Sequence, residues 1–507
     1  MPRFGDTLIR RDFLAGLALG AAALASARCR SIRPSKKRPN ILFCITDDQS
    51  YPHASAYGCR FVKTPAFDRV AREGVLFHNA FVSAPSCCPS RASVLTGQDF
   101  YRLKEASMNH TVWPSGMATY MDLLAGAAYT IGFTGKGWGS GNWQASGRST
   151  NPAGPAFNEK RLSPPQKGLS DIDYAANFQA FLDQKLPDAP FSFWVGFLEP
   201  HRGFDPGIGD ANGIAVAPGQ VPAFLPDVSE VRRDLADYAF EIEQADRQLG
   251  RILDILERRG ELDNTLVVVT ADNGMAFPGA KATLYDAGTR MPLAVRWGKR
   301  IRRGRIVWDF VCFTDFAPTF LEAAGLPIPA ETTGKSLIPI LESRRSGQID
   351  LARDHAVFGL ERHFPGARPD GAGYPMRAIR TSEYLYIRNL KPESSPVGDR
   401  PGPVWPADDP VGGYGDIDGG PTKTFMWERR DQYADLSERA FGRRPAEELY
   451  DVGRDPDQLH NLAANPEFAR IKTSLAGKLD AYLKRTGDPR ALDRGWELDA
   501  VMKRFPE

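Results

Sequence analysis

The sequence predicts an α/β protein: a large, mostly parallel sheet flanked by helices, followed by a smaller C-terminal α+β domain with an antiparallel sheet. Three observations lead there. Residues 40–46, 191–198 and 266–270 are continuous apolar runs, the pattern of strands covered on both faces. Helical stretches alternate with them, the longest over residues 229–260, where Leu235, Tyr238, Ile242, Ala245, Leu249, Ile252 and Leu256 share one stripe. Beyond residue 350 the pattern shifts to short segments, 374–380 and 384–387, that read as antiparallel strands.

Length and composition agree. A chain of 507 residues, 42% hydrophobic, suits a large domain with a smaller partner and can bury a sizeable core. A net charge of +2 argues against a general nucleic-acid binder, so any basic patch is local. The six cysteines (Cys29, Cys44, Cys59, Cys87, Cys88, Cys312) are irregularly placed, with neither a disulfide framework nor a paired zinc spacing. No internal repeat is present, and the oligomeric state is not legible.

Taken in order, residues 1–27 read as a twin-arginine export signal. Arg10-Arg11-Asp12-Phe13-Leu14 precedes the alanine-rich apolar run 15–24, and Ala25-Ser26-Ala27 supplies small residues for cleavage. The run is too short and too poor in bulky residues for a good membrane span. Retention as an anchor and lipidation of Cys29 are the alternatives, the second weakened by Arg28. A basic linker, residues 28–38, follows. The expected partner is the twin-arginine translocase, and the expected destination is the periplasm or the exterior.

The strand 40–46 ends in Asp47-Asp48, and 266–270 runs into Ala271-Asp272-Asn273-Gly274. Ligand groups in open α/β sheets gather at strand carboxyl ends. Taken singly, an Asp-Asp after a strand reads as a helix cap or turn. Together the two ends offer three carboxylates and an amide oxygen, hard donors that select Ca²⁺ or Mg²⁺ over zinc. Between them, Thr64-Pro65 opens a helix that Gly74 closes, and 75–77 leads on towards Ser83. A helix around 117–124 precedes a strand, 130–134, that ends in Gly135-Lys136. The loop from 137 to about 169 is rich in Gly, Ser, Pro and Asn, and reads as a pocket wall or as a surface excursion. The strand 191–198 ends at Glu199-Pro200-His201-Arg202, and 311–325 holds the last strand and helix of the first domain. A polar run near 350–357 divides the chain into a first domain, 39–355, and a second, 356–490, with a tail, 491–507. Residues 391–422 are a Pro- and Gly-rich insertion.

The other elements serve residues 83–97. A turn there leads into a short helix expected to start near Pro89, since proline suits the first helical turn. Cys87 then sits at the mouth of a helix N-terminus, which favours an anion, and Arg91 one turn in adds a cation.

Cys87-Cys88-Pro89-Ser90-Arg91 with Leu95-Thr96-Gly97 resembles the signature of the type I, formylglycine-dependent sulfatases, CxPSR with a downstream LTG. The strand ends carrying Asp47, Asp48, Asp272 and Asn273 also match, as do Pro200-His201-Arg202, the lysine element around Lys281 and Glu448-Leu449-Tyr450-Asp451. Pro200-His201-Arg202 and Tyr374-Pro375-Met376-Arg377 are most similar to heparan N-sulfatases (sulfamidases), although these tend to carry arginine at the position of Lys281. The resemblance runs from about Pro39 to about Arg490 and implies an alkaline-phosphatase-like fold.

It also implies a chemistry. A maturation enzyme would oxidise Cys87 to Cα-formylglycine, and Asp47, Asp48, Asp272, Asn273 and the modified Cys87 would hold one Ca²⁺. The hydrated aldehyde would attack sulfur, and its second hydroxyl would expel sulfate. Arg91 and Lys136 would stabilise the hydrate, while His201 and Lys281 would bind the sulfo group of a sulfated saccharide, one of them protonating the leaving group. One departure stands out: the family reads GKxH after the Lys136 strand, and Gly135-Lys136-Gly137-Trp138 puts tryptophan where a histidine helps collapse the hydrate. Another group takes that proton, or the branch is slow or works on a different substrate geometry, or Trp138 is a sugar-stacking wall. Alternatives to an exported sulfatase are a phosphonate or phosphodiester hydrolase of the same fold, and a noncatalytic glycan-binding homologue whose Cys87 is never oxidised.

Overall fold

Two sheets organise the chain, and the order of strands in the larger explains why residues far apart in sequence meet. The computed structural model describes residues 38–163 and 167–505. The export signal, residues 1–27, and all but the last residue of the linker, 28–38, lie outside the described residues.

The large sheet has the order β3(Thr130–Gly135)-β4(Phe191–Gly196)-β1(Asn40–Thr46)-β5(Thr265–Ala271)-β6(Arg290–Arg296)-β2(Val75–Phe81)-β7(Arg305–Val307), and β8(Val311–Cys312) also pairs with β2. Neighbours from β3 to β5 are parallel. β6 runs antiparallel to both β5 and β2, which in turn pairs parallel with β7 and β8. Along β1 the side chains alternate between two cores. Ile41, Phe43 and Ile45 pack with Trp194, Phe316 and Phe320, whereas Leu42 and Cys44 pack with Phe178, Phe181, Leu249 and Ile252. Both faces are dry, which is why the run carries no polar alternation.

The helix Ser229–Arg258 spans two of these environments. Ala245, Leu249, Ile252 and Leu256 cover the sheet, while Leu235, Tyr238 and Ile242 pack with Met275 and Phe277 and with Ile417 of the insertion. Each fully buried Leu or Ile contributes roughly 1.5–3 kcal/mol relative to exposure, so this helix binds the insertion to the sheet.

The second sheet is antiparallel, in the order β12(Glu447–Asp451)-β11(Tyr384–Asn389)-β10(Met376–Thr381)-β9(His355–Leu360). The helix Ala469–Thr486 covers it through Leu475, Leu479 and Leu483. Phe81, Phe100 and Phe310 of the first region belong to the same core, and the described residues from Pro39 onward form one compact unit. The stretch read as a tail instead carries the helix Trp496–Arg504, which buries Leu498, Val501 and Met502 in that core. Among the described residues no helix is long and apolar enough to cross a membrane.

Candidate active site

The β1–β5 register builds the site's floor. Thr46 lies opposite Ala271, so Asp47-Asp48 and Asp272-Asn273 leave two adjacent parallel strands at the same level. Asp272 N donates to Thr46 O at 3.0 Å, Asp47 N to Glu199 O at 3.0 Å, and Asp48 N to Asp272 Oδ1 at 3.1 Å. Asp48 adopts a left-handed φ of 70°, a conformation disfavoured for a residue with Cβ and tolerated best by Asp and Asn.

Cys87 approaches from the signature helix. That helix begins at Cys87, two residues before the start expected from Pro89, because Ser90 N already donates to Ser86 O at 3.0 Å. Pro89 still falls within the first turn, where its missing N–H is not needed. One ligand atom from each of Asp47, Asp48, Cys87 and Asp272 lies within 4.8 Å of the others, and all four residues are buried. Cys87 Sγ is 3.4 Å from Asp47 Oδ1.

Cations close around this cluster. The fully buried Arg91 donates from Nε to Asp272 Oδ2 at 2.7 Å and from Nη1 to Lys136 O at 2.7 Å. Lys136 pairs with Asp47. It can turn there because Gly135 has φ 74°, and a Cβ at that position would lie 2.0 Å from Gly196 O. Lys281 Nζ sits between Asp48 Oδ2 and Asp418 Oδ2, each at 2.7 Å, and 3.4 Å from His201 Nε2. His201 Nδ1 lies 2.7 Å from Arg202 O, a carbonyl that can only accept, so the ring carries its proton on Nδ1 and presents Nε2 to the cavity.

The charges act on one another. Burial would raise the Asp47 carboxyl, but Lys136, His201, Arg91 and Lys281 outweigh it and hold the group below the ordinary carboxylate range. Asp272 is pushed up to about 6 by burial and by Asp47, against Arg91 and Lys136. Burial would lower Lys281, yet Asp418 and Asp48 keep its ammonium charged. The Cys87 thiol is pushed well up by burial and then by Asp47, so as an unmodified thiol it stays protonated and weakly nucleophilic.

The donor set fits a hard divalent cation. Asn273 Nδ2 donates to Asp48 Oδ1 at 2.7 Å, and this leaves Asn273 Oδ1 buried with no hydrogen-bond partner among the described residues. An orphaned amide oxygen beside three carboxylates is a donor set that could hold a hard cation.

All the residues singled out from sequence (Asp47, Asp48, Cys87, Arg91, Lys136, His201, Asp272, Asn273 and Lys281) converge at one end of the sheet. A cavity of about 540 Å³ opens over them. Ser140 and Leu169, from the loop after β3, form part of its wall. Trp138 of the same loop does not. It is 1% exposed and donates from Nε1 to Cys88 O at 3.1 Å, so the sugar-stacking reading of this residue is corrected: its ring faces are covered. Sequence reading missed Asp418 and Trp405 of the insertion and His363 after β9, all on the cavity wall. Asp418 carries no pattern at all, since loop residues gain their role only from where the chain folds back.

The Sulfatase family matches residues 39–326, more than half of the chain, and the family "N-sulphoglucosamine sulphohydrolase, C-terminal" matches residues 279–392. An ulvan-active sulfatase of Formosa agariphila is 29% identical over 89% of this chain and 81% of its own. The human N-sulphoglucosamine sulphohydrolase is 29% identical over 92% of this chain and 93% of its own. Among solved structures, a protein in complex with its substrate D-glucosamine-2-N,6-O-disulfate superposes with a TM-score of 0.60 at 22% identity, covering 89% of this chain and 99% of that one. A phosphonate monoester hydrolase of Agrobacterium radiobacter gives 0.59 at 19% identity, covering 89% and 96%, so the alkaline-phosphatase-like fold is shared well beyond sulfate chemistry. With a family match across the strands and the signature helix that build this floor, the chain belongs to the sulfatase family.

Proposed function

We propose that this protein is an exported hydrolase that removes sulfo groups from sulfated saccharides, with heparan-type N-sulfo or O-sulfo sugars as the favoured class. Its nucleophile is Cys87 matured to formylglycine, and its cation is one Ca²⁺ held by Asp47, Asp48, Asp272, Asn273 and residue 87. The observation that carries the reading is a buried cysteine whose thiol is held protonated while it faces a carboxylate cluster with an orphaned amide oxygen. As a protonated thiol that cysteine is a poor nucleophile. The N-sulfo preference rests on the human relative and on Pro200-His201-Arg202. Export rests on the N-terminal Arg10-Arg11 segment and makes the twin-arginine translocase and a formylglycine-generating enzyme its partners.

When bound, the cation and the aldehyde hydrate supply charge neutralisation and an oxygen nucleophile. The chain's own groups do the rest. Lys281 presents its ammonium to the sulfo oxygens, fixed by Asp48 and Asp418 so that no reorganisation accompanies charge transfer. Lys136 and Arg91 balance Asp47 and Asp272, which keeps the floor neutral enough to admit an anion. With the ring proton on Nδ1, His201 Nε2 offers only a lone pair to Lys281 Nζ, so the Lys281 ammonium is the group that passes a proton to the departing nitrogen or oxygen.

The test is mass spectrometry of the Cys87 peptide from protein expressed in its own host, followed by turnover of sulfated disaccharides and of aryl sulfate against aryl phosphonate. An aldehyde at residue 87 and preference for sulfate are expected. Cys87→Ala should abolish turnover and leave the fold intact. A thiol alone would point to the noncatalytic homologue, and preference for phosphonate to the other hydrolase.

A further inference from the structure

We propose that His363 is the base that takes the proton when sulfate is expelled, the task for which position 138 holds no histidine. The proposal rests on the formylglycine reading above. Trp138 cannot serve: it is buried, and its one N–H is given to Cys88 O. His363, in the turn after β9, places Nδ1 2.8 Å from Ser86 Oγ, the hydroxyl of the residue directly before Cys87.

That hydrogen bond is singular in its setting. Ser86 occupies the N-cap position of the signature helix, where a serine hydroxyl ordinarily accepts a helix N–H, yet it caps none. Among the described residues His363 is its hydroxyl's only partner. Either atom can donate in this hydrogen bond; the tautomer that serves as the base is the one in which Nδ1–H donates to Ser86 Oγ and the lone pair lies on Nε2, which has no hydrogen-bond partner among the described residues. The ring is 5% exposed and lines the same cavity as Cys87, Lys281 and Asp418. Burial, then the charge of Lys281, holds the imidazole below its ordinary value against Asp416, Asp418 and Asp48, so the base is present at neutral pH.

The competing histidines are placed differently. His201 is committed to Lys281 and Arg202 O. His110 stands exposed at the rim, edge-on to Phe364 at 6.0 Å.

The step balances as follows. After sulfo transfer, residue 87 carries one sulfated oxygen and one free hydroxyl on the same carbon. His363 Nε2 takes the hydroxyl proton, the C=O bond forms as the carbon–oxygen bond to the sulfated oxygen breaks, and sulfate leaves as the dianion. The imidazolium then returns its proton to water.

The experiment quenches His363→Gln, Ser86→Ala and His110→Gln enzymes during turnover of an aryl sulfate, and reads the residue-87 peptide by mass. Its aldehyde content is measured first in each protein. His363→Gln should accumulate a sulfo adduct on residue 87, show a burst of phenol, and lose about 10²-fold or more in kcat, the usual share of a general base. Ser86→Ala, which frees the ring without removing it, should show the same adduct with a smaller loss. His110→Gln should show none. Unchanged kcat in His363→Gln, loss of activity without an adduct, or an adduct in His110→Gln alone would overturn the assignment. A wild-type protein holding only thiol at residue 87 would remove the formylglycine reading itself, and the aldehyde measurement distinguishes that failure before any variant is compared.

Discussion

Replacing Lys281 by methionine separates its structural task from its chemical one. The ammonium is 4% exposed and holds two carboxylates, Asp48 and Asp418, each at 2.7 Å. Methionine keeps the stem's volume but leaves those charges facing one another. With Ca²⁺ in excess Asp48 retains a counter-charge, so the orphan is Asp418. Removing one partner of a buried pair costs about 3–5 kcal/mol, and a loss of that order is expected in the urea midpoint of Lys281→Met. Adding Asp418→Asn removes the orphan charge, so the double variant should recover most of that stability. It should not recover activity. Losing a preorganised cation at the transferring group costs about 10²–10³-fold, and kcat/KM on an aryl sulfate should stay that low in both proteins. The reasoning is refuted if the double variant unfolds no later than the single one, or if it regains turnover, since either result means that Lys281 does not both bridge Asp48 to Asp418 and touch the substrate.

Three further outcomes follow from the same geometry. Chelation should lower the melting temperature as well as the activity, and Ca²⁺ should restore both, by about 2.7 kcal/mol once free metal exceeds its dissociation constant a hundredfold; an unchanged melting temperature would contradict a cation at Asp47, Asp48, Asp272 and Asn273. Glu241 is 1% exposed, its Oε1 has no hydrogen-bond partner among the described residues, and burial, then Glu199 and Asp237, push it up to about 9. A raised carboxyl contributes stability that is full below its unfolded value near 4.3 and is lost as pH rises through the folded value, at ~1.4 kcal/mol per unit; Glu241→Gln should therefore match wild type near pH 4 and melt progressively higher than wild type towards pH 8, and parallel curves would count against the burial argument. Arg377 bridges Asp488 at 2.6 Å and Glu361 at 2.7 Å in the second sheet, so Arg377→Met should destabilise by about 3–5 kcal/mol, visible as an earlier urea midpoint, with little change in KM because the pair lies outside the cavity.

The amino-acid order by itself determined the strands and what stands at their ends. β1, β4 and β5 were legible because a strand buried on both faces needs an unbroken apolar run, and Asp47-Asp48 and Asp272-Asn273 were legible because carboxylates that close such a run have no core to join. Cys87 and Arg91 were legible because the signature is local: five consecutive residues make a helix mouth without help from elsewhere. Only the tertiary structure decided what surrounds them. It made Trp138 a packing residue, since the loop turns its ring inward against Trp113 and Cys88. It also brought Asp418 to Lys281 across 137 positions and His363 to Ser86 across 277, and no periodicity marks either contact, because a loop residue's partner is set by how the chain closes on itself rather than by its neighbours in sequence.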